Sequence, residues 1–394
     1  MRARLDGWLG GRAGGAAVWV LICGWTALWG WDRNRSSGVS WHFLTTGTQA
    51  LFGDSGLHLY ARHPDLQIGP LAFAVVKLLG PLPSGAAKVA AQVLMTAVAP
   101  LLLLVLAPLL GDGLGRRRLR LLLAGLVLAP AWTVLSVRWM HLEDVLALLA
   151  SVVAVRFVAR GSGPGAPAWA VPAAGLALGA AMAAKPWAAG FAPILLAFPL
   201  TSLLAATACA AALALAAWGP FVVADHGTLE AFRPPVGVSD SSGLWTLGYR
   251  GAVVPSWGRT AQLVLAPVAA LGAVVRRRWP GVLLVAVAVR LALDPQDIGY
   301  YAAAAVLAAL VFDLLVTGWT VPWAALVTWA VQWQPFAHDF ARRFTTEHGM
   351  ALWFFRHPHV VGVAHLVWAA AAVLLVVAVP QRWLCRGPES SESR

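Results

Sequence analysis

Charge is scarce in this chain. Of 394 residues, 12% are Asp, Glu, Lys or Arg and 59% are hydrophobic, with a mean hydropathy of +0.72. Soluble domains average about 25% charged residues, so a water-borne globular fold is excluded. Acids are scarcer still, 17 against 29 Lys and Arg, which leaves a formal net charge of +12. A surplus of that size can signal nucleic acid. Here the bases Arg116–Arg118, Arg120 and Arg276–Arg278 fall in short gaps between apolar runs. That placement is cytoplasmic anchoring under the positive-inside rule, so no nucleic-acid partner is expected. Cysteine is nearly absent: Cys23, Cys209 and Cys385 have no paired spacing. Neither a disulfide framework nor a zinc site is encoded. Polar residues deep inside the apolar runs are rare, which argues against a pore.

What is present is a series of apolar runs with tryptophan at their ends. A bilayer crossing takes ~20 apolar residues. The 21 Trp residues suit interfacial belts, because indole has an apolar body and a single donor. The expected fold is an all-α polytopic membrane protein in one domain, 1–394, with about twelve spans (roughly 10–14). The first helix is 16–31, uncleaved, with a cytoplasmic N-terminus. An external loop, 32–84, follows. Its apolar run Ile68–Leu82 carries Lys77 between Pro70 and Pro81, too short to span, and is read as a juxtamembrane or re-entrant helix. If it crossed, Arg116–Arg120 would lie outside, against the positive-inside rule.

A central module, 85–218, follows, with spans near 85–110, 121–137, 145–158, 169–184, 188–200 and 201–218. A second external loop, 219–259, precedes the C-terminal helices, 260–380. Those have spans near 260–275, 281–293, 298–316, 321–336 and 359–379, and a third external loop at 337–357. A cytoplasmic tail, 381–394, ends the chain. The plasma membrane is the expected location, with both termini cytoplasmic.

The polar residues that do not anchor helices gather on one side. They lie in the first loop, in Arg138–Asp144, at Lys185, in the second loop, in Asp294–Tyr301 and in the third loop. The densest cluster is Arg138-Trp139-Met140-His141-Leu142-Glu143-Asp144, set between two apolar runs. Charge near a bilayer costs several kcal/mol unless paired or wet, so such a cluster marks function by default. An outward-facing site needs its polar residues in these places.

The arrangement resembles the GT-C superfamily of membrane glycosyltransferases, closest to the family-87 enzymes that use polyprenyl-phosphate sugars. The resemblance runs through Phe43, Gly47, Leu51-Phe52-Gly53, Tyr60, Pro64 and Gly69-Pro70-Leu71 in the first loop. It continues in His141–Asp144, which is similar to the acid that opens the fourth helix of those enzymes. Gly175 to Gly179 through Lys185-Pro186 is similar to a glycine-rich helix ending in Lys-Pro, and Asp294–Tyr301 stands where a late donor-binding segment is found. The match spans roughly residues 16–300, and none of these motifs is diagnostic alone.

The resemblance implies inverting transfer of a hexose or pentose from a polyprenyl-phosphate donor to an external glycan or lipid acceptor. A base accepts the acceptor's proton, cations neutralise the departing phosphate, and a groove holds the polyprenyl tail. The family's first-loop base is Asp. The aligned residue here is His42, and a neutral imidazole can act as a base near pH 7. Asp65 and Asp54 are alternatives. Lys185, Arg62, Arg138 and Arg250 are candidate phosphate ligands. Asp144 and Glu143, with His141, are expected to orient those cations or to hold a divalent metal, Mg or Mn. No cofactor is implied with certainty. Asp294, Tyr300 and Tyr301 are candidate donor contacts.

Plainer roles compete for each residue. His42 also reads as an ordinary loop histidine, Glu143 and Asp144 as a first-turn helix cap, Lys185 as a snorkelling side chain, and the tyrosines as belt aromatics. Arg290 with Asp294 reads as a structural i,i+4 pair. Asp112 and Asp313 read as cytoplasmic-end residues without chemistry. A transporter or lipid flippase, and a catalytically inactive relative, are the alternative functions. Transport would use Arg290, Asp294 and Lys185 as a charge path, although no repeat or broken helix is visible.

Overall fold

A computed structural model describes residues 9–33, 38–163, 165–332, 353–354 and 356–384. Regular structure among them is helical, apart from one isolated bridge pairing Gly237 with Val253. The helices are α1 Arg12–Arg33, α2 Trp41–Leu51, α3 Leu59–Arg62, α4 Pro70–Leu79, α5 Ser84–Leu106, α6 Leu114–Thr133, α7 Leu142–Gly161, α8 Ala170–Ala184, α9 Leu200–Ala224, α10 Gly243–Thr246, α11 Ser256–Val275, α12 Val282–Ala292, α13 Tyr301–Leu315, α14 Trp323–Gln332, α15 Pro358–Val377 and α16 Gln381–Leu384.

Six stretches among the described residues are long and apolar enough to cross a membrane: Arg12–Trp31, Ser84–Leu109, Leu114–Trp139, Leu200–Ala224, Ser256–Val275 and Pro358–Val377. They contain 20 to 26 residues, and at ~1.5 Å per residue each covers a ~30 Å hydrocarbon core. The expected twelve spans are not matched by twelve such helices. Shorter apolar helices, α4, α8, α12 and α13 among them, have 10–17 residues. Helix α13 is buried along almost its whole length, as is α12. Helices α12 and α13 are thus covered by protein, whereas long helices such as α5 and α9 carry exposed Leu and Val.

Three boundaries differ from the sequence reading. Helix α6 begins seven residues earlier than expected, at Leu114, so Arg116–Arg120 lie on its first turns rather than in a gap. Runs of arginine are good helix formers, so only their charge suggested a break. The expected pair of spans 188–200 and 201–218 is instead a 3₁₀ segment, Pro186–Ala197, and the single 25-residue helix α9. Pro186 and Pro193 remove the amide donors that an α-helix would need there. The juxtamembrane run of the first loop forms only α4, ten residues or roughly 15 Å, half of a hydrocarbon core. The third external loop and the tail lie largely outside the described residues.

Helix ends sort the charges. Arg120, buried, donates to the Asp313, Leu314 and Thr317 carbonyls at the C-terminus of α13 and pairs with Asp112. Arg278, also buried, caps α15 through the Val376 carbonyl at 2.7 Å and reaches Gln381. Both arginines satisfy carbonyls that a helix terminus leaves unpaired. Asp313 is equally structural: its carboxylate accepts the Ala324 and Ala325 amides at the start of α14. These arginines mark the end of the bundle where α13 and α15 finish. The Arg138–Asp144, Lys185 and Asp294–Tyr301 segments lie at the opposite ends of the helices they join.

Candidate active site

The chain reverses abruptly between α6 and α7. Val134–Trp139 winds as a π-helical turn, and Met140 adopts a left-handed backbone with φ 56°. For a residue with a Cβ that conformation costs ~1–2 kcal/mol. Strain of this kind, like a π-turn, concentrates at functional sites. The turn sets His141 at the N-cap of α7 and Glu143 and Asp144 on its first turn; from there to Arg156 the helix is apolar apart from Ser151.

From there a network extends across elements far apart in sequence. His141 Nδ1 lies 2.8 Å from Glu143 Oε1 and 3.6 Å from Asp144 Oδ2. Lys185, at the end of α8, places Nζ 3.0 Å from Glu143 Oε1 and 4.0 Å from Asp144 Oδ2. Trp187 Nε1 donates to Asp144 Oδ1 at 2.9 Å. Ser40 Oγ lies 3.1 Å from His141 Nε2. Tyr300 stacks on the His141 ring with centroids 3.9 Å apart, and Tyr301 meets Tyr300 edge-on. The Glu143 side chain is 2% exposed, so its charge depends on these partners.

A second anion adjoins the first. Asp294 is fully buried and lies 3.5 Å from Arg259 and 3.6 Å from Arg290. It also accepts the Tyr301 hydroxyl at 3.3 Å and the Gln296 amide at 3.1 Å. Arg290 sits over both the Trp187 and Tyr301 rings, so the two networks are continuous. The i,i+4 pairing of Arg290 with Asp294 is present, and Arg259 joins it from α11.

The first loop closes over this cluster. Gly69 donates to the Ala184 carbonyl at 3.0 Å, and a Cβ there would lie 2.2 Å from the Ala183 oxygen. Glycine is the residue that permits this approach beside Lys185. Tyr60 is buried and donates to the Ile68 carbonyl at 2.7 Å; burial pushes its phenol well above its ordinary pKa, keeping it a donor. Helix α8 is held in place from behind. Cβ atoms at Gly175 and Gly179 would strike the Ala206 and Ala210 carbonyls of α9.

Two adjacent cavities result. The polar one, about 210 Å³, is bordered by Ser40, Asp65, His141, Glu143, Lys185, Arg259, Gln296, Tyr300 and Tyr301. The second, about 100 Å³, is mostly apolar, with Trp187, Phe191, Trp218, Leu263 and Ala266 in its wall. Leu66, Gln67, Lys185 and Arg259 border both.

The expected site residues divide accordingly. Asp65, His141, Glu143, Lys185, Tyr300 and Tyr301 share the polar cavity, with Asp144 and Asp294 bonded just behind its wall. His42 is exposed on α2 and does not border it. Its Nδ1 lies 3.0 Å from the Val39 carbonyl and its ring rests on Phe43. Arg62 is exposed and donates to the Asp54 carbonyl. Arg250 is spent on the Trp245 ring and carbonyl. Arg138 is half-buried, and its carbonyl accepts the Gly38 and Val39 amides. None of these three arginines borders the cavity.

Ser40, Gln67, Trp187, Arg259 and Gln296 belong to the site and carry no motif. A lone arginine opening an apolar run was the available signal for Arg259.

Among the described residues, one group has metal-ligand character: His141, Glu143 and Asp144, whose donor atoms lie within 4.8 Å of one another. Glu143 Oε2 is buried without a hydrogen-bond partner. Glu143 Oε1 already faces both His141 and the Lys185 ammonium, so a fixed cation occupies the carboxylates' field.

Compared with known protein families, curated proteins and solved structures, the chain finds no match.

Proposed function

We propose that this protein is a membrane glycosyltransferase that uses a polyprenyl-phosphate sugar, a hexose or a pentose, as donor. One observation carries the reading: a polar cavity bearing a carboxylate lies beside a mostly apolar cavity, with Lys185 and Arg259 bordering both. A lipid-phosphate sugar has the same order of parts. Its prenyl chain suits the Trp187–Phe191–Trp218 wall, its phosphate suits the two cations, and its sugar suits the His141–Tyr300 stack.

In this mechanism Asp65 is the general base. It is the acid of the first loop that borders the cavity, whereas His42 is held outside it. The acceptor hydroxyl gives its proton to Asp65 while its oxygen attacks the anomeric carbon. The bond from that carbon to the phosphate oxygen breaks with inversion, and the polyprenyl phosphate leaves with the bonding pair. Lys185 and Arg259 stabilise the charge that develops on the phosphate. Glu143 and Asp144 hold Lys185 in position, and Asp294 holds Arg259. A lysine, rather than Mg or Mn, supplies the neutralising charge beside the acids. The site faces outward across the plasma membrane, with the arginine-rich helix ends and both termini in the cytoplasm.

The test is transfer from labelled donors by the protein in vesicles. Asp65→Asn should lower kcat by ~10²–10⁴-fold, the usual worth of a general base. His42→Ala should leave kcat within a few fold. Loss of activity in His42→Ala with retention in Asp65→Asn would reverse the assignment.

A further inference from the structure

Helix α2 opens on a serine that does not cap it. Ser40 stands at the N-cap, where a hydroxyl ordinarily accepts an amide of the first turn and contributes ~1 kcal/mol. Its side chain makes no such bond. Ser40 Oγ lies instead 3.1 Å from His141 Nε2, 101 residues away in sequence. The other ring nitrogen, Nδ1, lies 2.8 Å from Glu143 Oε1.

The direction of these hydrogen bonds follows from the last group in the line. Lys185 Nζ, 3.0 Å from Glu143 Oε1, favours the ionised carboxylate. A carboxylate only accepts, so Nδ1 carries the imidazole proton and Nε2 keeps its lone pair. Ser40 Oγ therefore donates to Nε2. A hydroxyl bonded to a neutral imidazole, with a third group orienting the ring, is the signature of an activated nucleophile, and both distances fall within its ~2.6–3.2 Å reach. The same order of groups serves acyl transfer on unrelated folds.

The surroundings hold this line in place and turn it toward a cavity. The Ser40 amide donates to the Trp139 carbonyl at 2.9 Å and the Val39 amide to the Arg138 carbonyl at 3.1 Å, which fastens the start of α2 to the turn that precedes His141. Tyr300, stacked on His141, fixes the plane of the ring. Ser40 is 7% exposed, and it borders the polar cavity together with His141 and Glu143. Lys185 borders the same cavity and supplies positive charge where an oxyanion would form. It also borders the apolar cavity walled by Trp187 and Phe191.

We propose that Ser40, His141 and Glu143 form a nucleophile–base–carboxylate triad, and that the protein carries a second activity, hydrolysis of a carboxylic ester with a short apolar acyl group. Ser40 Oγ attacks the ester carbonyl carbon while His141 Nε2 takes its proton. The bond to the alkoxy oxygen then breaks, and that oxygen leaves with the bonding pair and takes the proton from Nε2. The acyl group stays on Ser40, with its chain in the apolar cavity. Water gives a proton to Nε2 and attacks the acyl carbon, Oγ leaves and recovers the proton, and the carboxylic acid departs. Ester and water thus become acid and alcohol. Glu143 is a positioning residue that acts through His141. The proposal does not rest on the glycosyltransferase reading, since its readout is a covalent bond at Ser40.

The experiment uses the full chain in phosphatidylcholine nanodiscs, in buffer with EDTA, treated with an alkyl fluorophosphonate. Intact mass should rise by one phosphonyl group, and peptide mapping should place it on Ser40. Ser40→Ala should take no adduct. His141→Gln and Glu143→Gln should each slow labelling by ~10²-fold or more. Hydrolysis of p-nitrophenyl butyrate should fall by ~10²-fold or more in Ser40→Ala.

Wild-type protein that unfolds cooperatively yet takes no adduct at Ser40 overturns the triad, whether or not the variants fold. So does labelling as fast in His141→Gln as in the wild type, the result a purely structural serine–histidine contact would give. An adduct at Ser40 without turnover of the butyrate overturns the short-acyl assignment. Sugar transfer without an adduct overturns the triad alone, and an adduct without sugar transfer from any donor overturns the glycosyltransferase reading alone.

Discussion

The ion pair between Lys185 and Glu143 gives the sharpest energetic test of the site. Lys185→Met keeps most of the stem volume and removes the charge. Glu143 is then a carboxylate, 2% exposed, that has lost its ammonium partner at 3.0 Å. Breaking a buried pair from one side costs ~3–5 kcal/mol, because the other charge is left uncompensated. His141 still faces Glu143 at 2.8 Å, so the loss should fall near the lower figure, about 3 kcal/mol.

Glu143→Gln alone removes the opposite charge and should cost less, since Lys185 keeps Asp144 at 4.0 Å. The double variant removes both charges and should recover much of the loss, with a coupling energy of ~1.5 kcal/mol or more. The assay is a double-mutant cycle on denaturant unfolding in a fixed detergent. Single losses that simply add, with coupling under ~0.5 kcal/mol, would show that the two groups are not paired in the folded protein.

Other outcomes follow from the same contacts. Asp144→Asn keeps an oxygen for the Trp187 indole but loses the charge beside Lys185. It should fold normally and lose activity by ~10-fold or more, because positioning rather than capping is affected. Unchanged turnover would make Asp144 a cap. Gly69→Ala drives a methyl into the Ala183 and Ala184 carbonyls and should destabilise by ~1–3 kcal/mol, with activity lost as the first loop lifts from Lys185. A variant with wild-type unfolding and activity would show that this approach is not tight.

Asp225, exposed beyond α9, accepts a hydrogen bond from His58 at 3.1 Å, which holds its carboxyl below the ordinary value. A depressed acid stabilises above its unfolded pKa, and that stability is lost as pH falls through the folded one. Asp225→Asn should therefore lower stability slightly at pH 7, where the ionised carboxylate contributes, and converge with the wild type below about pH 4, giving a flatter acid profile. Identical acid profiles would remove the link.

Some of this site was legible in the sequence and some was not, for a physical reason. Glu143, Asp144 and Lys185 announced themselves because charge beside apolar runs needs an explanation. Their mutual pairing was hidden, since 42 residues separate Lys185 from Glu143. Ser40 and His141 meet across 101 residues, and a serine in a loop carries no signal of its own. The choice between His42 and Asp65 turned on the facing of α2. Ser40 and Phe43 face the cavity, which turns the intervening His42 outward. Hydropathy found the long helices well. It does not separate spans from short apolar helices covered by protein, as in α12 and α13, because burial against helices and burial in lipid call for the same residues.

The most direct test of the central claim is one incubation read two ways. Reconstituted protein receives polyprenyl-phosphate mannose, glucose and arabinose, each labelled in the sugar, and both sugar transfer and transbilayer movement of the donor are measured. Transfer from at least one donor with release of polyprenyl phosphate, abolished in Lys185→Met and Asp65→Asn, is the predicted result. Donor that crosses the bilayer with its sugar still attached, with no transfer from any of the three, would contradict the account and identify a flippase.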